Sequence, residues 1–177
     1  MRSNRLRLIA PTVALAVLLA ACGSGEASTS AGDGTASSAA GNVAPASFTA
    51  DRLGGGELSS SSLDGKDTVL WFWAPWCTIC RGEADDVVAS ARAFDGKVRV
   101  IGVAGRDEVP AMEGFVSDTR TGSLTHVVDA DGAIWSSYGV FAQPAYAFID
   151  DSGEVDVFVG GLGEKELTKR MNALAEA

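Results

Sequence analysis

Thr68-Val69-Leu70-Trp71-Phe72-Trp73-Ala74-Pro75-Trp76-Cys77-Thr78-Ile79-Cys80-Arg81-Gly82-Glu83 is the stretch on which the reading of this 177-residue chain turns. Its first six residues form a continuous apolar run, the pattern of a central strand buried on both faces. Beyond Cys80, the residues Val87, Val88, Ala91 and Phe94 recur at helical spacing until Asp95-Gly96. Cys77 therefore stands where a buried strand hands over to a helix. The unpaired N–H groups and dipole of a helix N-terminus favour negative charge, so a thiolate there is stabilised and becomes nucleophilic near neutral pH. Cys80 follows three residues later, nearly one turn, so its sulfur can approach that of Cys77 and close a disulfide.

Working outward, Val98 to Val103 reads as a second buried strand and Val109 to Asp118 as a helix with Met112, Phe115 and Val116 on one side. Thr125 to Val128 is a short strand closed by Asp131-Gly132; the segment through Trp135 and Tyr138 to Val140 has no clear type. Ala145 to Ile149 and Val155 to Val159 are strands joined by the turn composition Asp151-Ser152-Gly153. A last helix, Glu164 to Ala175, places Leu167, Met171 and Leu174 on one stripe. Upstream, Phe48-Thr49-Ala50 and Glu57-Leu58 read as a leading hairpin around Gly54-Gly55-Gly56. This alternation predicts an α/β domain over residues 47–177, with a mixed sheet sandwiched between helices. About 130 residues bury such a core without a disulfide staple, which leaves the cysteine pair free for function.

The N-terminus has a different character. Arg2, Arg5 and Arg7 precede an apolar stretch from Leu8 to Leu19, interrupted by Pro11, and Ala20-Ala21 leads to Cys22. A positive start, a short apolar core and small residues make residues 1–21 a secretory signal; the run is short for a spanning helix, which needs about 20 apolar residues. From Gly23 to Ala46 the chain is almost wholly Gly, Ser, Ala and Thr. It reads as a tether with an r.m.s. span of about 25–30 Å. Without the three leading arginines, 11 basic residues face 23 acidic ones, a formal charge of −12. Such a surface repels phosphate backbones, which argues against nucleic acid as a partner.

Three cysteines are present, and an exported protein is one in which disulfides persist. A purely structural Cys77–Cys80 bridge would close so short a loop that it constrains the unfolded chain little. A zinc centre needs about four ligands, and the single CxxC and the sole histidine, His126, fall short of that. His126 reads as a surface or edge residue and is assigned no role. Trp71, Phe72 and Trp73 read as core rather than as a substrate platform, and Trp135 fits either.

With these residues in hand, two resemblances emerge. Leu19-Ala20-Ala21-Cys22 resembles the lipobox of bacterial lipoproteins, which implies cleavage before Cys22 and diacylglycerol on its sulfur; Cys22 is then silent in redox terms. Trp73-Ala74-Pro75-Trp76-Cys77-Thr78-Ile79-Cys80-Arg81-Gly82-Glu83 resembles the active-site stretch of the thioredoxin superfamily, nearest to its TlpA/ResA/DsbE branch with the pattern W-C-x-x-C-x-x-E. The likeness continues through Asp129-Ala130-Asp131-Gly132, Tyr138-Gly139-Val140 and Gln143-Pro144-Ala145-Tyr146-Ala147-Phe148-Ile149-Asp150. Export and lipobox together resemble the DsbE/DsbF-type lipoproteins of high-GC Gram-positive bacteria. This resemblance implies a thioredoxin-like three-layer sandwich and further site residues. Trp76 would flank and shield the nucleophile. Pro144 would be the cis-proline beside the disulfide that helps hold substrate. Glu83 would either assist proton transfer at Cys80 or, as a first-turn acid, stabilise the helix dipole. Trp71 stands where thioredoxins themselves carry a buried aspartate, and Asp85 replaces a proline that often kinks the helix.

The expectation is a lipid-anchored, extracytoplasmic protein thiol–disulfide oxidoreductase using Cys77 and Cys80, oxidising or isomerising disulfides in exported proteins and recycled by a membrane or secreted redox partner. No cofactor is implied, since electrons come and go through thiols. The alternatives are a disulfide reductase for cytochrome c maturation, a thiol peroxidase on the same fold, which the WCxxC arrangement argues against, and a non-enzymatic binding or chaperone lipoprotein with a structural disulfide.

Overall fold

The computed structural model describes residues 47–177; the signal, Cys22 and the tether lie outside the described residues. Seven strands are present there: β1 (Thr49–Asp51), β2 (Glu57–Ser59), β3 (Thr68–Trp73), β4 (Arg99–Gly105), β5 (Thr125–Asp129), β6 (Ala145–Ile149) and β7 (Val155–Val159). The helices are α1 (Thr78–Ala93), α2 (Val109–Thr119), α3 (Ala133–Ser137) and α4 (Glu164–Leu174), with one 3-10 turn at Ser60–Leu63. The main sheet has the order β5-β4-β3-β6-β7. β4 runs parallel to both β3 and β5, while β6 is antiparallel to β3 and β7.

β3 is thus the middle strand, and all six of its residues are buried. Its pleat distributes its aromatic rings between the two helical layers. Trp71 and Trp73 point toward α2, where the Trp73 ring stacks on Phe115 at 4.1 Å between centroids. Phe72 points the other way, meeting Trp135 of α3 edge-on at 6.0 Å and Tyr138 at 5.8 Å. α1 packs against α2 and α4 on the first face; α3 covers β4 and β5 on the second. This is a thioredoxin-like, three-layer fold. The segment whose type the sequence left open is the short helix α3, and Trp135 is fully buried core.

The leading hairpin forms as β1 and β2, and its three glycines all take positive φ, a backbone region L side chains rarely adopt. It docks on the β5 edge through a bridge between Arg52 and Val127 and a hydrogen bond from Leu53 N to the His126 carbonyl, 2.9 Å. An otherwise open strand edge is covered in this way. α1 runs uninterrupted through Asp85. Among the described residues no helix is long and apolar enough to cross a membrane.

Candidate active site

Cys77 is the N-cap of α1, in extended backbone geometry, and its Sγ accepts a hydrogen bond from the Cys80 N–H at 3.1 Å. A sulfur takes here the place usually held by a serine or aspartate oxygen, satisfying one of the orphan donors of the helix start. Cys77 and Cys80 are joined as a disulfide with Cα atoms 5.3 Å apart. Cys77 retains 6 % of its surface and Cys80 none, so an incoming thiolate meets the Cys77 sulfur first. Trp76 beside it is exposed and its indole N–H donates to the Arg106 carbonyl at 3.4 Å.

Glu83 lies one turn beyond Cys80 on the same face of α1, as i,i+3 pairs do. It is buried and outside the first turn of the helix, so the dipole reading gives way. Its Oε1 accepts from the Trp71 indole N–H at 2.8 Å and its Oε2 from the Leu162 N–H at 3.1 Å. The residue that stands in the place of the thioredoxin aspartate therefore holds a carboxylate of the following helix. Burial raises the Glu83 carboxyl above the usual range, opposed by its hydrogen-bonding neighbours. The Tyr146 hydroxyl borders the same carboxylate, though it falls outside hydrogen-bond geometry. Burial first, and then the Glu83 charge, push its ionisation upward.

The Gln143–Pro144 bond is cis and Pro144 is buried, its carbonyl accepting from Gly160 N at 2.9 Å. Gly161 shows how closely these pieces meet. A Cβ there would lie 3.0 Å from Glu83 Oε2, 3.1 Å from Ile79 Cγ2 and 3.8 Å from Pro144 Cγ. Cys77, Cys80, Glu83, Trp76 and Pro144 thus belong to one neighbourhood at the N-terminus of α1; Cys22 lies outside the described residues.

His126 departs from its sequence reading. It does lie on the edge strand β5, but it is buried, 3 % exposed. Its Nδ1 faces the Trp73 indole N–H at 3.3 Å and its Nε2 the Thr121 carbonyl at 3.0 Å. An indole only donates and a carbonyl only accepts, so both bonds require the neutral Nε2–H tautomer. Burial lowers its proton affinity accordingly. The imidazole fills the space a Cβ at Gly102 would need.

Sequence reading also missed Arg106, whose φ of 61° lies in the left-handed region. Its guanidinium sits 4.8 Å above the Trp135 ring and donates to the Phe141 carbonyl at 3.1 Å. An isolated arginine after a strand carries no local signal for such contacts. Trp135 reaches this point because Gly105 has no Cβ; one there would lie 2.6 Å from the indole.

Comparison with known proteins agrees with this geometry. The family model described as AhpC/TSA family matches residues 40–158. The soluble secreted antigen MPT53 of Mycobacterium tuberculosis is 40% identical over 131 residues, 72% of this chain and 74% of that one. The solved structure of MTB DsbF, in mixed oxidised and reduced forms, superposes with a TM-score of 0.70 at 47% identity, over 72% of this chain and 94% of that one. A secreted Mycobacterium tuberculosis disulfide oxidoreductase, described as homologous to E. coli DsbE, gives 0.67 at 39% identity over 72% and 96%. Fold, redox pair and relatives converge: the chain belongs to the AhpC/TSA family and is a thiol–disulfide oxidoreductase of thioredoxin-like fold.

Proposed function

We propose that the chain oxidises thiols of exported proteins through the Cys77/Cys80 couple while held at the outer face of the cell membrane by lipid on Cys22. The observation that carries the direction is the hydrogen bond from the Cys80 N–H to Cys77 Sγ at the start of α1. A donor and helix dipole aimed at this sulfur stabilise a Cys77 thiolate, hence the reduced form, and a stabilised reduced form makes a stronger oxidant.

In the cycle a substrate thiolate attacks Cys77 Sγ. The Cys77–Cys80 bond breaks, its electron pair leaves on Cys80, and Glu83 supplies or relays the proton that Cys80 takes up. A second substrate thiolate then attacks the mixed disulfide and Cys77 departs as thiolate. The substrate loses two electrons to the protein, its thiol protons having gone to solvent as the thiolates formed and one proton entering at Cys80; a membrane or secreted disulfide-bearing partner then takes the two electrons on. Pro144 borders the substrate's path and Trp76 flanks the nucleophile.

The test is the reduction potential of the couple in the full chain, equilibrated against glutathione or dithiothreitol buffers. A value above about −180 mV supports oxidation of secreted thiols. A value at or below about −250 mV, near thioredoxin's, overturns that direction in favour of a reductase such as cytochrome c maturation requires. Anchoring rests on Arg2, Arg5 and Arg7, the apolar run and Leu19-Ala20-Ala21-Cys22. Labelled fatty acid should enter the wild-type chain and not Cys22→Ala.

A further inference from the structure

Among the described residues five large apolar side chains stand exposed: Val109, Val159, and three on the segments that carry Cys77, Cys80 and the cis Pro144. Trp76 is 56 % exposed, Ile79 60 % and Phe141 72 %. Trp76 and Ile79 flank the two cysteines, and Phe141 stands three residues before the cis Pro144. Ile79 lies in the first turn of α1, whereas Trp76 and Phe141 belong to separate loops, one after β3 and one before β6, and the residue that connects these loops is Arg106, just after β4. Its carbonyl receives the Trp76 indole N–H, its guanidinium donates to the Phe141 carbonyl, and the same guanidinium lies over the buried Trp135 ring. A left-handed backbone at a non-glycine residue is what turns carbonyl and side chain toward these different partners.

We infer that Arg106 is a positioning residue for substrate selection: it holds Trp76 and Phe141 as a fixed apolar rim around Cys77, fitted to flexible polypeptide with an aromatic or aliphatic side chain beside the reacting cysteine. The inference rests on the redox reading above and adds to it a substrate class. The rim is poised without a substrate, because Trp135 is fully buried and fastened by its own N–H to the Val103 carbonyl at 3.2 Å, which gives the guanidinium a rigid base. A rim fixed in advance loses little conformational entropy when a chain settles on it. A small dithiol reaches Cys77 without touching it.

The experiment compares oxidised full-length wild type with Arg106→Asn. Asparagine tolerates the left-handed backbone and keeps the carbonyl that Trp76 uses, but it cannot span to Phe141 or lie over Trp135. Three reductants are used: dithiothreitol, a dithiol peptide with Phe and Leu beside its cysteines, and the same peptide with Ser in their place. Wild type should prefer the apolar peptide. Arg106→Asn should raise KM for that peptide about fivefold to tenfold, with kcat and the rates for the Ser peptide and dithiothreitol kept. Phe141→Ser, which leaves Arg106 and its backbone contacts in place, should reproduce the loss.

Equal slowing with all three reductants in Arg106→Asn overturns the inference in favour of a structural role. Wild type that exchanges with dithiothreitol but treats the two peptides alike overturns it while leaving the redox reading intact. Wild type that exchanges with no reductant sinks both.

Discussion

Two tryptophans two residues apart on one strand each donate an indole N–H to a buried ionisable group on the same side of the sheet. Trp71 donates to Glu83 at 2.8 Å and Trp73 to His126 at 3.3 Å. Burial pushes both partners toward their neutral forms, the carboxyl upward and the imidazole downward. The physics is shared, and the consequences differ through position. Glu83 sits one helical turn from Cys80 and next to Gly161, Ile79 and Pro144, where protons must move when the disulfide opens. His126 lies on the β5 edge, its second nitrogen committed to Thr121, and its bonds tie β5 to the core. A perturbed ionisable group is a functional candidate only when a reacting atom lies within reach.

The largest effect expected is on Cys80, the cysteine that Glu83 is proposed to serve. Cys80→Ser should abolish turnover, and when the substrate is given in its disulfide form the free Cys77 thiolate should attack it, displace one substrate sulfur as thiolate and hold the substrate as a mixed disulfide, seen as a mass increase that dithiothreitol reverses. Turnover persisting in this variant would dismiss the dithiol cycle and with it the importance of the Glu83 side.

Next comes the carboxyl itself. Glu83→Gln keeps an acceptor for the Trp71 indole but has no proton to give or take at Cys80. The step in which Cys80 leaves should slow about 100-fold, the lower end of general acid–base contributions, and its pH dependence should flatten. A rate unchanged between pH 5 and 8 would put Glu83 beside His126 as a purely structural group.

On the other side, His126→Leu leaves the Trp73 indole N–H buried without an acceptor. Stability should fall by about 1–3 kcal/mol in urea unfolding, while the rate of exchange with dithiothreitol per folded molecule stays at the wild-type value. A large loss of exchange rate in this variant would break the proposed division between the two sides.

These two pairs also mark where sequence reading stops. The strand from Thr68 to Trp73 was legible because five apolar residues in a row, Val69 to Trp73, have few other uses, and the hairpin strands Ala145–Ile149 and Val155–Val159 coincide with their reading because turn residues bound them. The dithiol at the helix start was legible from the handover between strand and helical spacing, and the cis Pro144 through resemblance alone. The edge position of His126 was read, but its burial was not, because a single polar residue in a five-residue strand shows nothing of its partner, which lies 53 positions away in Trp73. The Leu162 N–H that holds Glu83 is 79 positions away. Side chains that meet across the sheet or between helices leave no local pattern, and α3, five residues long, is too short to establish a helical period. Arg106 combines both difficulties, since its contacts span three loops and its left-handed backbone is uncommon for arginine.

The smallest effect, and the one that separates the two pairs by sign, is the pH dependence of stability. His126 has its folded affinity for protons depressed by burial, against an unfolded value of about 6.5. As pH falls below about 6.5 the unfolded chain binds a proton at this residue and the folded chain does not, so stability declines toward acid. The limiting slope for one proton is about 1.4 kcal/mol per pH unit, until the folded imidazole also protonates. Glu83 acts in the opposite sense: its folded carboxyl is raised above an unfolded value of about 4.3, so its contribution is full below that pH and declines as pH rises through the folded value. Asp129, buried and likewise raised by desolvation, tilts the curve the same way as Glu83. The net curve mixes these slopes, and a difference measurement separates them. Subtracting the His126→Gln curve from wild type should leave a stability difference flat above about pH 7 and falling toward acid from about 6.5. Subtracting Glu83→Gln should leave one flat below about pH 4 and falling toward alkali above it. Curves of the same sign would mean that burial does not govern one of the two groups, and the likeness between the two indole-bound pairs would end at their hydrogen bonds.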